Sequence, residues 1–204
     1  MQFIRRAPGR PRRLAVFPGA FHPPTKAHME LARRALARAD EVLFVLPRIQ
    51  PHKRYDEVGL EDRCRMVELA AAETPQYSVG ISEHGLFIDL ARECRPLYDP
   101  LERLFILCGR DAAERAINWD YGRPGAFREM LNEFEMLVGS RGGEFVPPPS
   151  LEHRIHTLAM PPEYDEVSST EVRERIRRGQ AWEHLVPEVL IPLVRELYAA
   201  HKQS

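Results

Sequence analysis

Short apolar runs alternate along this chain with amphipathic stretches long enough to be helices. Leu14–Phe17, Val42–Leu46, Tyr77–Ile81 and Leu104–Cys108 have the length and character of buried strands, and Glu135–Val138 and Ile155–Ala159 extend the series. Between them the spacing predicts helices over about 25–39, 60–73, 87–94 and 127–134, with a helical final third over 169–178 and 187–200. The second helix carries an apolar stripe of Cys64, Met66, Val67, Leu69 and Ala70. Strands joined by helices of this length pair in parallel, because a parallel neighbour needs a long crossover. The pattern therefore predicts an α/β protein: a parallel sheet with helices on both faces and a helical C-terminal addition. In such a sheet the ligand crevice lies beyond the carboxyl ends of the strands. That rule singles out residues 18–28, 47–54 and 109–112 and the loop entering the helix at 169.

Composition narrows the function. The 204 residues are 44% hydrophobic and 29% charged, an ordinary globular balance, and no apolar run has the roughly 18–20 residues that cross a bilayer. A soluble, cytoplasmic protein is expected, with no membrane partner. The net charge of −1 offers no footprint for nucleic acid. Arg5, Arg6, Arg10, Arg12 and Arg13 stand without an acid in residues 1–13, where Pro8, Gly9 and Pro11 interrupt any helix. That stretch is expected to be a flexible basic leader, with one domain over 14–204. Cys64, Cys94 and Cys108 form no C-x-x-C pair and suit buried thiols in a reducing compartment.

The chemistry concentrates in two helix starts. After the first strand runs Phe17-Pro-Gly-Ala-Phe-His-Pro-Pro-Thr-Lys-Ala-His28. Gly19 permits a tight turn, Pro23 and Pro24 keep the chain extended, and Thr25 and His28 fall on one face of the first helical turn. Free amides, a hydroxyl, an imidazole and Lys26 there would cradle a phosphate; the same residues also suit a plain N-cap with a half-exposed histidine. The second start is Val167-Ser-Ser-Thr-Glu-Val-Arg173, with Ser168 and Glu171 spaced as a capping box. Arg173 lies one turn on from Ser169 and Thr170, and its planar fork suits phosphate oxygens. With a basic loop at His52, Lys53 and Arg54, two such starts would surround a polyphosphate.

These residues resemble a known superfamily. Phe21-x-Pro-x-Thr-x-Ala-His28 is similar to the (H/T)-x-G-H signature of nucleotidyltransferases, and Ser168-Ser169-Thr170-x-x-Arg173 to their I-S-S-T-x-x-R signature. Within that group the chain is most similar to bacterial nicotinate-nucleotide adenylyltransferases. It shares a Pro51-His52-Lys53 loop, Gly109-Arg-Asp111, Trp119, and Val186-Pro187-Glu188 followed by Leu197-Tyr198. Three positions depart from the pattern. Thr25 stands where nicotinate enzymes usually have His, Ala27 replaces the signature Gly, and His22 stands where Asp is common. The Ala27 methyl is expected to crowd the nucleotide.

The resemblance implies a Rossmann-like fold and transfer of AMP from ATP to nicotinate mononucleotide, giving deamido-NAD and pyrophosphate. Pantetheine-phosphate adenylyl transfer, favoured by Thr25, and a non-catalytic nucleotide binder remain the alternatives. On this reading His28, Thr25, Lys53 and Arg173 act on the phosphates. Gly19, Ala20, Phe21, Gly109, Asp111, Ser168, Ser169 and Thr170 bind ATP. Trp119 and His52 meet the acceptor. Mg²⁺ arrives with ATP, and no carboxylate cage of the protein's own is identified. The partners are ATP and a mononucleotide, and a homo-oligomer is compatible with the sequence. Asp111 would bond a ribose hydroxyl or cap the following helix, and Trp119 would stack on the pyridine or sit in a core or lid.

Two other features have simpler explanations. His153 and His156 would share a helical face but have no third ligand nearby, so a solvated pair is expected. Gly139-x-x-Gly142-Gly143 matches no phosphate-loop pattern and reads as a turn.

Overall fold

The computed structural model describes residues 1–48, 58–140 and 142–199. Its strands are β1 (Gln2–Arg5), β2 (Arg13–Pro18), β3 (Glu41–Pro47), β4 (Tyr77–Ser82), β5 (Arg103–Gly109), β6 (Glu135–Ser140) and β7 (Ile155–Ala159). The helices are α1 (Lys26–Ala35), α2 (Leu60–Ala71), α3 (Phe87–Cys94), α4 (Arg110–Asn118), α5 (Ala126–Met130), α6 (Ser169–Arg178) and α7 (Ile191–Ala199). The sheet order is β1-β4-β3-β2-β5-β6-β7, with β2 to β7 parallel and β1 antiparallel to β4.

Alternation along the strands divides the core. Leu14, Val16, Leu43, Val45, Leu104 and Ile106 face α3, α4 and α5. Ala15, Phe17, Val42, Phe44, Phe105 and Leu107 face α1 and α2. Every residue of β3 is buried, as a central parallel strand covered on both sides must be. Met66 and Ala70 of α2 join Val172, Ile176, Leu193 and Val194 in a third cluster, so the C-terminal helices are anchored on α2 and on the start of α1. Among the described residues no helix is long and apolar enough to cross a membrane.

The start of the chain differs from expectation. Residues 2–5 are not part of a flexible leader but the edge strand β1, in register with β4 from Gln2 opposite Ile81. Of the leader arginines, Arg5 Nε donates to the Tyr77 carbonyl at 3.2 Å, Arg6 Nη2 to that of Leu97 at 2.7 Å, and Arg13 to Asp40 at 2.5 Å. The pairing partner lies some 75 residues away, which is why no local pattern announces it. Helix ends also shift. α1 stops at Ala35 because the following amides bond three residues back and tighten the last turn, and α5 ends at Met130 in the same way. The segment expected to be helical over 187–200 is a short 3-10 turn at 188–190 leading into α7.

Candidate active site

The order of strands reverses between β2 and β5. The chain steps outward from β2 to β3 and β4, then returns to place β5 on the other side of β2. Val16 lies opposite Ile106, so the two strands run out side by side. The loop 19–25 and the start of α4 therefore flank the crevice that such a reversal opens.

The loop is tightly held. The Gly19 amide donates to the Val45 carbonyl at 3.0 Å. Phe21 adopts a left-handed φ of 48°, uncommon for a bulky residue, and its ring is buried edge-on against Phe17, Phe44 and His28 at 5.3–5.6 Å. A side chain at Gly19 would come within 2.7 Å of that ring, so this close approach requires glycine.

At the start of α1 the N-cap reading holds, with the imidazole as part of the cap. Thr25, fully buried, is the N-cap, and its Oγ1 accepts the His28 amide at 3.4 Å. The Thr25 amide donates to His28 Nδ1 at 3.0 Å. The imidazole thus fills the place that Glu or Gln takes in a capping box. A backbone N–H can only donate, so Nδ1 is the unprotonated nitrogen and the neutral ring carries its proton on Nε2. His28 is thereby set to present an N–H donor.

The second helix start reaches across to the same loop. Ser168 is the N-cap of α6, its Oγ accepting the Glu171 amide at 3.1 Å. The capping box is only half made, because the Glu171 carboxylate pairs with Arg175 at 2.5 Å rather than turning back. Ser169 Oγ donates to the Pro23 carbonyl at 2.7 Å, and Arg173 Nη1 donates to the His22 carbonyl at 2.6 Å. Thr170 is exposed and accepts from Arg173 Nη2 at 3.4 Å. A third side chain, unforeseen, completes the set: Arg63 of α2, only 5% exposed, donates from Nη1 to the Ala20 carbonyl at 3.0 Å. Its signal in the sequence was a charge placed in line with Met66, Val67 and Ala70 on the apolar face of α2.

Two departures from the signature are explained by burial. Ala27, where the signature has Gly, is buried in the cluster of Val58, Val167 and Val172. His22 is 4% exposed, with its ring 5.4 Å from that of Tyr198 on α7.

The remaining candidates lie further out. Gly109 is the N-cap of α4, and Asp111 is exposed in the first turn, so it is not the cap itself. Trp119 closes α4 and is 50% exposed, which removes the core alternative. With Tyr121, Arg123 and Phe127 it lines a cleft of about 430 Å³. His52 and Lys53, with Arg54, lie outside the described residues. His153 and His156 share no helix: His153 is exposed in a turn, and His156 on β7 bonds Glu135 at 2.6 Å. Gly139 belongs to β6, while Gly142 and Gly143 form the turn after it. Among the described residues there is no group of three or more His, Cys, Asp or Glu side chains arranged to hold a metal.

The profile of the cytidylyltransferase-like family matches residues 16–175. A probable nicotinate-nucleotide adenylyltransferase of Thermus thermophilus is 32% identical over 189 residues, covering 87% of this chain and 94% of the relative. One from Solibacter usitatus is 31% identical over 187 residues, with 87% and 94% covered. Among solved structures, the Plasmodium falciparum nicotinic acid mononucleotide adenylyltransferase complexed with NaAD superposes with a TM-score of 0.70 at 16% identity. That match covers 91% of this chain and 97% of the other, and supports the same fold.

Proposed function

The chain belongs to the cytidylyltransferase-like family and, within it, to the nicotinate-nucleotide adenylyltransferases, and from that premise we propose how its residues transfer AMP from ATP to nicotinate mononucleotide. The acceptor phosphate attacks the α-phosphorus of ATP, a new P–O bond forms, and the bond to pyrophosphate breaks. The nucleophile is already an anion, so no side chain need remove a proton. What remains for the protein is to align the two substrates and to neutralise charge as it develops.

The observation that carries this reading is the convergence of two helix N-termini, α1 and α6, on one loop at the point where the strand order reverses. The Nε2–H of His28, fixed by the bond from the Thr25 amide, donates to the α-phosphate. The amides of the loop at Gly19–Phe21 and the starts of α1 and α6, with Thr170 and Arg173, receive the triphosphate. Ser168 and Ser169 hold the α6 start and the loop in register. Asp111 and Gly109 border the ribose, and Trp119 stacks on the pyridine of the acceptor. Lys53 is assigned to the phosphates and His52 to the acceptor on their sequence pattern alone. Mg²⁺ comes and goes with ATP as part of the substrate, coordinated by phosphates and water. The burial of Ala27 among Val58, Val167 and Val172, and of His22 beside Tyr198, supports a working enzyme, because both departures are absorbed in packing.

The test is pyrophosphate release from MgATP with nicotinate mononucleotide, nicotinamide mononucleotide and phosphopantetheine offered in parallel. Preference for the nicotinate acceptor is expected. Preference for phosphopantetheine would reassign the acceptor, and ATP binding without release from any acceptor would overturn the catalytic reading.

A further inference from the structure

Three carbonyls of the nucleotide loop, those of Ala20, His22 and Pro23, are each held by a side chain from a distant part of the sequence: Arg63, Arg173 and Ser169. The last two belong to the α6 signature. Arg63 does not, and it lies on α2, buried beneath the loop at 5% exposure. A guanidinium stays charged under all working conditions and is costly to bury, so its place on a backbone carbonyl of the nucleotide loop calls for an account. The peptide it grips is the one that precedes Phe21, whose left-handed φ of 48° is held by a ring wedged among Phe17, Phe44 and His28. The C=O and N–H of a trans peptide point to opposite sides. Fixing the Ala20 carbonyl toward α2 therefore turns the Phe21 N–H away from it. The Gly19 amide is already committed to Val45, and Pro23 and Pro24 have no N–H, so few donors are left on this loop for a phosphate.

We propose that Arg63 is a positioning residue for ATP: by holding the Ala20 carbonyl it aims the Phe21 amide at the triphosphate and places a fixed cation beneath it. The inference rests on the adenylyl-transfer reading but concerns the ATP half of the site alone. Arg63 does not touch the acceptor in this scheme, so its loss must separate the two substrates.

The experiment compares Arg63→Met and Arg63→Lys with Arg65→Met, an exposed arginine on the same helix. ATP affinity is measured by calorimetry on the full chain without acceptor, and KM for each substrate by pyrophosphate release. Arg63→Met is expected to weaken ATP binding by about tenfold or more, the scale of one lost charged hydrogen bond, with KM for nicotinate mononucleotide changed by less than about threefold. Arg63→Lys, which keeps the charge but not the fork, is expected to recover part of the loss, and Arg65→Met to match the parent. Equal weakening of both substrates, or a lowered Tm with ATP affinity intact, would show a merely structural arginine and overturn the proposal. If neither Arg63 variant folds, amide NMR of the parent protein decides. The Phe21 N–H is expected to shift on adding ATP, and a silent Phe21 would be equally fatal. Calorimetry and NMR need no turnover, so an enzyme that binds ATP but releases no pyrophosphate would refute the transfer reading while leaving this test readable.

Discussion

At His28 the proton's location follows from one backbone bond. The Thr25 amide occupies Nδ1, so the imidazole offers Nε2–H, and in the proposed mechanism removing it deletes one donor to developing phosphate charge. His28→Ala is expected to lower kcat by about 100–1,000-fold with little change in Tm, measured by pyrophosphate release and thermal melting. Normal release would sink the site. A second residue, Glu41, shows what burial does away from the chemistry. It is 2% exposed at the start of β3, where Ser78 and Tyr98 hydroxyls donate to it at 2.6 Å each. Burial raises its pKa, and the two hydroxyls and Arg6 only partly oppose this. A carboxyl whose pKa is raised by folding contributes stability below its unfolded pKa, and that contribution is lost as pH rises through the folded value. Glu41→Gln cannot ionise. Its Tm relative to the parent is therefore expected to improve from about pH 4 to about pH 8, and a pH-independent difference would contradict the assignment.

The loop between β2 and α1 behaves as an element although it has no regular structure. Its hinge is Gly19, where a Cβ would meet three atoms of the Phe21 ring at 2.7–3.0 Å. That ring is wedged on its other sides, so it cannot give way. Gly19→Ala is expected to cost about 1–3 kcal/mol in stability by denaturant titration and to weaken ATP binding as well. An alanine variant with unchanged ATP affinity would show that the loop's shape is not what binds. The helices on either side were legible to different degrees. α3 begins and ends where the apolar period places it, and α6 where its Ser168 cap and Gly179 place it. α4 escaped delimitation because Ala113 is its only buried residue, leaving almost no apolar stripe to read. β1 escaped because a four-residue strand, half-buried and basic, carries no alternation strong enough to oppose the Pro and Gly that follow it.

Across the whole molecule the three thiols are inert by placement. Cys64, Cys94 and Cys108 are all buried, and burial lifts their pKa values to about 11, 12 and 12. An aromatic disulfide reagent is expected to find no reactive thiol in the native protein and all three after denaturation; rapid labelling of the native state would show that the core opens. The parallel sheet, its helices and the two helix starts that carry the signatures were readable from residue order, because hydrophobic period, caps and turn residues act over a few positions and leave their mark locally. What joins those starts was not readable. Ser169 reaches Pro23 across 146 residues and Arg173 reaches His22 across 151, while Arg63 finds Ala20 from a helix face that looked merely apolar. The surroundings of Ala27 and His22 were decided in the same way, by α6 and α7 docking onto α1 and α2. Sequence alone determined most of the elements and marked the two helix starts that carry the signatures. Only the tertiary structure decided which atoms those residues grip, because hydrogen bonds between distant segments are set by how packed helices meet, and no local pattern encodes that.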